Sequence, residues 1–332
     1  MLTPLKIAIA TQSCYAHQNK PWRDDEALCA YLRKQGHDAT IIDWQDSAHN
    51  PTQYDAIFVS TTWNIPAHSN DFISWLDMCE ADKKKRLINT KQILTFGLKK
   101  DIYYAFLNTQ ESLKPHLIPT RFVTSENKTG FDKKFIHSLS EEDGFAGHNL
   151  VIKPIISADG YQTYFFGNDA QNDSPYFIPS IDEAEKICHD ILDHAHLRGL
   201  MVQPYIKGIE NGEYSLTYLR GKLALCIKKN GGFRNDKSIN RIAIDTARLQ
   251  QNIRDVANKA SKALIDKFGI DHLTRYRIDI IRDGDTTYIS ELELVEPNCN
   301  FGVTFNNSDH NYSFDTLVAQ LGDAILQTAY TF

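Results

Sequence analysis

Three carboxylates, Asp279, Glu291 and Glu293, fall within one largely apolar stretch of the sequence, residues 276–298. Two apolar runs flank Asp-Gly-Asp at 283–285, a pattern typical of a β-hairpin. Because strand side chains alternate between two faces, Glu291 and Glu293 share one face. Carboxylates that converge inside an apolar sheet need a cation, and an all-oxygen set suits Mg²⁺ or Mn²⁺ better than zinc. The hairpin therefore predicts a divalent metal site. The alternative is a solvated ribbon with surface carboxylates, which the apolar neighbours disfavour.

A lysine inside an apolar strand predicts an anion site. Lys153 lies in LVIKP, and a mid-strand lysine is rarely buried without an anion to meet. A turn of small residues, 157–160, follows at once and leads into a returning strand. A lysine beside such a loop can hold phosphates through side-chain and backbone N–H groups. Taken alone the loop is a weak signal, because ordinary β-turns also use Ser, Asp and Gly.

Composition limits the function classes. A chain of 332 residues is long enough for two or three domains. Its net charge of −6 and the lack of a dense basic block argue against nucleic acid or an anionic membrane as partner. No apolar run reaches the length of a membrane span, the first ten residues lack a signal-peptide pattern, and the six cysteines are scattered. The expectation is a cytoplasmic protein with reduced thiols. Cys299 beside the hairpin could be a nucleophile, but core packing is the favoured interpretation.

The first 95 residues alternate between strand and helix patterns, which predicts a parallel, doubly wound sheet. The glycine fingerprint of dinucleotide-binding folds is absent after the first strand, so such a cofactor is not expected. The predicted strands are 6–10, 39–43 and 54–60, and the predicted helices are 24–35 and 69–79, the second capped by Ser69.

Later segments predict two more groups of elements. A short strand and a loop precede a helix that begins near Lys99. Strand 201–206 contains Pro204 and is therefore expected at a sheet edge or at a connection between domains. His194 and His196 are two residues apart, which makes them poor joint metal ligands. The remaining predictions are strands at 121–124 and 150–154, a helix at 182–196, a hairpin turning at Arg220-Gly221, a loop at 230–236, a long helix at 246–268 and a helix at 314–329 covering the sheet of the acidic hairpin.

Four features occur in a fixed order: a lysine before a helix, Lys153 with its small-residue loop, the segment 203–213 ending in Gly-Glu, and the acidic hairpin. This order resembles the ATP-grasp superfamily, in the branch of glutathione synthetase-like and RimK-like carboxylate–amine ligases. The twelve-residue separation of Asp279 and Glu291 is similar to the RimK-like motif, as are VIKP and the FRN sequence at 233–235. More narrowly, STTWNIPAHSNDFISWL, MVQPYIKGIENGEYSL and ELELVEPN resemble the DcsG-type ligases of cycloserine biosynthesis.

The resemblance implies an α/β chain with a Rossmann-like preATP-grasp domain at 1–95, an ATP-grasp small lobe with linker at 96–205, and a large lobe with the metal site at 206–332. It also implies roles for individual residues. Implied at ATP are Lys100 (or Lys99) and Lys153 on the phosphates, Ser157 and Gly160 in a closing loop, Gln203, Pro204, Tyr205 and Ile206 at the hinge beside adenine, and Glu213 or Glu210 at the ribose hydroxyls. Implied in catalysis are Arg277 facing the triphosphate and Arg234, with Asn235, at the transferring phosphoryl group.

The same resemblance assigns Asp279, Glu291 and Glu293 to two Mg²⁺ ions. The family usually has Glu-x-Asn on the last strand, whereas this chain has Glu291-x-Glu293, and Asn298 is a second candidate for the amide. Around Trp63 the DcsG-type pattern of Arg before and Asp after is replaced by Thr61 and Asn64. The change to Glu293 preserves the metal chemistry, because a carboxylate is a more strongly charged oxygen ligand than an amide. The differences around Trp63 leave the substrate open.

The activity implied is an ATP- and Mg²⁺-dependent ligase that joins a carboxylate to an amine, or closes one molecule onto itself, through an acyl phosphate. Small-molecule carboxylates and amines are the expected partners, and a homodimer is common among such ligases. The alternatives are a small-molecule kinase on the same fold, an ATP-binding protein without turnover, and an α/β protein whose acidic hairpin is a coincidence. Water would destroy an acyl phosphate, so a closing lid is expected, and the loop 157–160 is the natural one.

Overall fold

The computed structural model describes residues 3–12, 23–124, 132–139, 141–158, 160–167, 177–178, 180–230, 239–306 and 313–332. These residues form three sheets, one of four strands and two of five. The first sheet lies within the predicted range 1–95, the second within 96–205 and the third within 206–332. The boundaries between those ranges stay a prediction.

The N-terminal sheet is parallel, with strand order β2-β1-β3-β4. Alternate residues of β1 explain why helices cover both faces: Ile7 and Ile9 pack in one core with α1, and Ala8 and Ala10 pack in another with α2. The predicted doubly wound sheet is therefore confirmed. Its elements are β1 (Lys6–Thr11), α1 (Arg23–Lys34), β2 (Asp38–Asp43), β3 (Ala56–Val59), α2 (Ser69–Cys79) and β4 (Leu87–Ile88).

Two predictions in this region are wrong in detail. Ser69 does not cap α2, because it is the first helical residue and its hydroxyl donates to the carbonyl of His196. The segment predicted as a loop before Lys99 is instead α3 (Lys91–Leu98), followed by α4 (Lys100–Asn108). Gly97 explains this packing, since a Cβ there would lie 2.6 Å from the Cβ of Leu294 in the acidic hairpin segment. Helix α3 thus approaches the hairpin closely and turns the chain at Lys99.

The second sheet has strand order β5-β9-β6-β7-β8. Strand β9 lies between two partners, so the sheet edge, one of its two predicted positions, is wrong. The chain does pass from β9 directly to the third sheet at β10 (Glu213–Leu219), which agrees with the other predicted position, a connection. Pro204 is tolerated because it is the last residue of β9, and β5 pairs only as far as Val202. The elements are β5 (Arg121–Thr124), α5 (Lys133–Leu139), β6 (Leu150–Pro154), β7 (Tyr164–Phe166), β8 (Phe177–Ile178), α6 (Ile181–Asp193) and β9 (Gly199–Pro204).

The third sheet is antiparallel, with order β12-β11-β10-β13-β14, and contains the predicted acidic hairpin as β13–β14. Its inner face packs on the long helix α7, which forms the largest core together with residues such as Ile278 and Leu292. Helix α8 has the predicted bounds and packs against α1 and the far side of β10–β11. The elements are β10 (Glu213–Leu219), β11 (Lys222–Asn230), β12 (Asn240–Ile244), α7 (Gln251–Phe268), β13 (Arg275–Asp283), β14 (Thr286–Glu293) and α8 (Phe314–Ala329).

Asn89, just after β4, ties the N-terminal sheet to the base of the hairpin. Its side-chain amide donates to the carbonyls of Arg275 (2.5 Å) and Leu294 (2.9 Å), and its oxygen accepts from the N–H of Thr274 (2.8 Å) and of Arg275 (3.2 Å). A fully buried amide satisfied in this way fixes both strands of the hairpin relative to β4. Within the described ranges, no helix combines the length and apolarity that crossing a bilayer requires.

Candidate active site

A cleft of about 500 Å³ lies over the outer face of the β13–β14 hairpin, between the second and third sheets. We call it the hairpin cleft. It brings together residues from eight strands, β6, β7 and β9–β14, and from the loop that follows β3. The predicted site residues that line it are Lys153, Ser157, Gly160, Gln203, Pro204, Tyr205, Ile206, Glu213, Arg277, Asp279, Glu291 and Glu293.

Asp279 is held in the middle of the cleft by two cations. The guanidinium of Arg277 donates to both of its carboxylate oxygens, at 2.8 and 2.7 Å, and Lys229 Nζ lies 3.6 Å from one of them. Burial raises the pKa of Asp279, but the charges of Arg277 and Lys229 outweigh it and hold the pKa at about 2. Asp279 is therefore a buried, ionised carboxylate at neutral pH.

Glu291 lies directly opposite Asp279 in the strand register and meets a different cation. Lys100, the first residue of α4, places Nζ 2.8 Å from Glu291 Oε1 and 2.8 Å from the carbonyl of Ser157. Burial raises the pKa of Glu291, and the charges of Lys100 and Lys153 lower it to a net value below the usual range. Lys99, the alternative to Lys100, lines a separate shallow depression beside Lys91.

Glu293 faces the same cleft but is bonded to backbone. Its Oε1 accepts from the N–H groups of Val295 (2.9 Å) and Glu296 (3.2 Å), so it closes the turn after β14. Burial and the neighbouring charge of Glu291 raise the pKa of Glu293. Asn298, the other candidate, also lines the cleft, and its Oδ1 accepts from the N–H of Asn300 at 3.0 Å.

The carboxylates share one face as predicted, but among the described residues no three acidic, histidine or cysteine side chains are already arranged around one point to hold a metal ion. Instead, Asp279 and Glu291 are each neutralised by protein cations. Two ionised oxygen donors side by side fit the preference of Mg²⁺, which binds through one or two carboxylates and takes its other oxygens from water and phosphates. The donor set therefore fits Mg²⁺ supplied together with a phosphate ligand.

Lys153 lies beside this charged centre, on β6, and is partly buried. Burial lowers its pKa, the carboxylate of Glu291 raises it, and Lys100 lowers it further, with a net shift downward. Ser157 and Gly160 follow on the loop that lines the same wall. The cleft thus brings Lys153 and part of the predicted phosphate loop to the carboxylates.

The other end of the cleft is apolar. Ile118, Ile206, Ile209 and Ile281 form a small hydrophobic cluster, with Tyr205 packed against it. The side chain of Gln203 is turned toward Tyr104 (2.8 Å) and Thr120 (3.0 Å), so it anchors the end of β9.

Glu213 connects the apolar end to the charged centre. Its carboxylate accepts from Ser290 Oγ at 2.7 Å and from Lys229 Nζ at 2.8 Å, and Lys229 also faces Asp279. Glu210 lies outside this group and accepts from the hydroxyl of Tyr205 at 3.2 Å. Of the two ribose candidates, Glu213 therefore lies in the cleft wall.

The hairpin itself gives the order of these parts. Ile281, Asp279 and Arg277 occupy successive outward positions of β13, and Glu291 and Glu293 lie opposite Asp279 and Arg277. At roughly 3.3 Å per residue, the outer face runs for about 13 Å from Ile281 to Arg277. Apolar surface, the carboxylate pair and the arginine therefore follow one another along the outer face of the hairpin.

Several cleft residues were not predicted. They include Lys229, Trp63 and Glu296, besides Ile118, Ile209 and Ile281 at the apolar end. Lys228 and Lys229 are adjacent near the end of an apolar strand. Because successive strand side chains face opposite sides of the sheet, one of the two must face the cleft side, but the sequence does not show which. Glu296 is only 6% exposed, and burial together with the charge of Glu293 raises its pKa well above the ordinary range. Arg234 and Asn235 lie outside the described residues.

Comparisons with known proteins bear on this geometry. Residues 7–89 match the family model described as D-cycloserine synthetase DcsG, N-terminal domain. The chain is 23% identical over 287 residues to the cycloserine biosynthesis protein DcsG of Streptomyces lavendulae, covering 83% of this chain and 87% of that protein.

Solved structures share the fold over nearly the whole chain. The crystal structure of D-cycloserine synthetase DcsG superimposes with a TM-score of 0.74 at 19% identity, covering 96% of this chain and 99% of that one. The D-alanine–D-alanine ligase from Bacillus anthracis gives a TM-score of 0.64 at 12% identity, covering 98% and 99%. The same ligase has also been solved in complex with ATP. The predicted resemblance to ATP-grasp ligases of the DcsG type and the predicted α/β ATP-grasp fold are both confirmed.

Proposed function

We propose that this chain is an ATP-grasp ligase that uses ATP and Mg²⁺ to join a carboxylate to an amine through an acyl phosphate, releasing ADP and phosphate. The observation that carries the proposal is the order of groups along the outer face of β13–β14. An apolar pocket, paired ionised carboxylates with lysines, and an arginine follow one another in one cleft. Adenine, triphosphate and acceptor substrate require the same sequence of surfaces.

The nucleotide is proposed to lie along the hairpin. Adenine would pack among Ile118, Ile206, Ile209 and Ile281, with the end of β9 at its edge. Glu213 lies next along the wall, where it would accept from ribose hydroxyls. Lys153, which lines the cleft, and Lys100, which is paired with Glu291, would then meet the phosphates.

Asp279 and Glu291 would hold Mg²⁺, with Glu293 or Asn298 as the further oxygen ligand. When bound, the metal supplies charge neutralisation and orientation for the phosphoryl group. Arg277 is bonded to Asp279 before the nucleotide arrives, so it is positioned within reach of the transferring group. Manganese would suit the same oxygen donors.

The chemistry proceeds in two displacements. An oxygen of the substrate carboxylate attacks the γ-phosphorus, the bond to the β–γ bridging oxygen breaks, and ADP leaves. The amine then attacks the acyl carbon, the C–O bond to phosphate breaks, and the amine loses a proton. Arg277 and Lys153 would counter the negative charge in the first step. Ser157, Ala158 and Gly160 line the cleft, and their loop would exclude water. Arg234 and Asn235 are proposed to act at the same phosphoryl group.

The proposed substrates are a small-molecule carboxylate and amine, which the resemblance to ligases of small molecules supports. The proposed location is the cytoplasm, where Mg²⁺ and ATP are both supplied. The ranges 1–95, 96–205 and 206–332 are proposed as preATP-grasp domain, small lobe and large lobe, since each contains one sheet. A homodimer is proposed from the family resemblance alone.

The experiment is to measure release of ADP and phosphate with Mg²⁺ against pools of D- and L-amino acids, short peptides and small amines. We expect ADP and free phosphate in equal amounts that depend on one carboxylate and one amine, with a product lighter than the two substrates by one water. A product that retains phosphate would identify a kinase instead. Nucleotide binding without turnover in any pool would favour a binding protein.

A further inference from the structure

Glu296 differs from every other carboxylate that lines the hairpin cleft. Asp279 is paired with Arg277, Glu291 with Lys100, and Glu213 with Lys229. Glu293 accepts two backbone N–H groups. Among the residues that the structure describes, no basic side chain lies within 4 Å of the Glu296 carboxylate and no donor is hydrogen-bonded to it. The Glu296 side chain is 94% buried and lines the cleft, so burial and the charge of Glu293 hold its pKa high as long as no cation is near. A cation bound in the cleft would stabilise its ionised form and would not have to displace a protein partner.

The position of Glu296 separates it from the proposed nucleotide region. It follows β14, three residues beyond Glu293, and so extends the order along the hairpin past Arg277. The end of the cleft at Ile281 is the apolar one. If adenine occupies that end, Glu296 lies beyond the phosphates, on the side from which an acceptor substrate would approach.

Trp63 forms the neighbouring wall. Its indole N–H donates to the backbone carbonyl of Glu296 at 3.2 Å, and both residues line the cleft. Trp63 follows β3, at the carboxyl end of the parallel N-terminal sheet, where ligands of such sheets bind. A carboxylate beside an indole ring suits a protonated amine, because the carboxylate pairs with the charge and the ring face attracts it.

We propose that Glu296 and Trp63 bind the ammonium group of the substrate, so that this ligase takes an amino acid or another molecule with a protonated amine. This inference rests on the proposed function for its biological meaning, but the site itself is tested without turnover. Glu296 binds the substrate in this proposal and does not hold the metal.

The first test is a titration of the full chain with methylammonium chloride, against sodium chloride at equal ionic strength. The readout is the ¹⁵N–¹H signal of the Trp63 indole, assigned with Trp63→Phe. We expect a saturable shift in the wild type that is at least about tenfold weaker in Glu296→Gln and partly restored in Glu296→Asp. The matched control is Glu26→Gln, which removes one exposed carboxylate on α1 and leaves the titration unchanged. Lack of a saturable shift in the wild type, or an equal shift in Glu296→Gln, would overturn the proposal.

The second measurement separates this site from the nucleotide site. Binding of Mg²⁺ with a non-hydrolysable ATP analogue is measured by calorimetry on the same wild-type and Glu296→Gln samples. Equal affinities are expected, and a weaker affinity in the variant would make Glu296 a metal ligand and overturn the proposal. Failure of the wild type to bind the nucleotide would contradict the proposed function, while the indole titration would still decide whether an ammonium site exists.

Discussion

The two faces of the β13–β14 hairpin are stabilised by different interactions. The inner face carries Ile278, Ile280 and Leu292, all fully buried against α7. The outer face carries Asp279, which is buried, and Glu291, which is half-buried, each beside a cation from a different element. The inner face is stabilised by non-directional hydrophobic packing. The outer face depends on ion pairs with particular side chains that other elements supply.

This difference separates stability from chemistry within a single pair of strands. Replacing an apolar side chain on the inner face by a smaller one lowers the free energy of unfolding by an amount that depends on the volume removed. On the outer face Asp279 and Glu291 each already have a protein cation, so a ligand that binds them must replace or share that cation. We infer that the outer face is held ready for a ligand that brings both positive and negative charge, as Mg²⁺ with ATP does.

The largest expected effect is on the outer face. Asp279→Asn or Glu291→Gln should lower Mg²⁺-dependent turnover by at least about 100-fold, because either change removes a charged oxygen donor at the transferring phosphoryl group. The measurement is ADP release under saturating substrates, with circular dichroism to confirm folding. The control Asp285→Asn removes an exposed carboxylate from the turn of the same hairpin and should leave turnover unchanged. Full activity in Asp279→Asn would remove the metal assignment.

The sequence predicted this hairpin well because both of its signals are local. Period-two alternation placed Glu291 and Glu293 on one face, and the Asp-Gly-Asp turn placed β13 beside β14. The partners of these carboxylates were less accessible. Lys229 comes from β11, and its approach to Asp279 depends on how the third sheet is ordered. The position of Glu296 after β14 was equally hidden, because it depends on how the N-terminal sheet and Trp63 pack against that segment.

Helix α3 illustrates the same limit in the fold. Its residues were predicted as a loop, because a short helix with Gly97 in it has little local signal. Only the close approach to Leu294 explains why glycine is required there. Likewise Pro204 suggested an edge strand, but it occupies the last residue of an interior strand, where no partner on the β5 side needs its N–H.

The next effect contrasts two isoleucines on opposite faces of β13. Ile278→Ala should lower the free energy of unfolding by about 2–5 kcal/mol through loss of packing against α7, while activity per folded molecule stays unchanged. Ile281→Ala should cost less stability but weaken nucleotide binding, because its side chain lines the apolar end of the cleft. Denaturant unfolding and nucleotide calorimetry on both variants test the contrast. Equal loss of nucleotide affinity in the two variants would contradict the separation of faces.

A smaller effect concerns two adjacent lysines. Lys100→Ala should raise the KM for ATP about tenfold, because the side chain at Glu291 carries charge to the phosphates. Lys99→Ala should leave that KM unchanged, since Lys99 lines a different depression. Initial rates at varied ATP decide between them. The reverse result would place the phosphate lysine at Lys99.

The smallest expected effect is in the acid dependence of stability. The pKa of Asp279 is about 2 in the folded chain and ordinarily 3.8, so its ionised form stabilises the fold above pH 4. That contribution is lost as the pH falls from 4 to 2. Asp279→Asn should therefore show a shallower loss of stability over this interval than the wild type. Parallel curves from urea unfolding at each pH would show that the Arg277 pair contributes no linkage.

Calorimetry with a non-hydrolysable ATP analogue tests most directly whether the outer face of the hairpin binds Mg²⁺ and ATP together. We expect the wild type to bind the analogue tightly only with Mg²⁺ present, to show no binding of Mg²⁺ alone, and to lose at least tenfold in affinity in Asp279→Asn. Binding that is independent of Mg²⁺ and equal in the two proteins, or no binding by the wild type, would contradict joint binding of Mg²⁺ and ATP at the outer face.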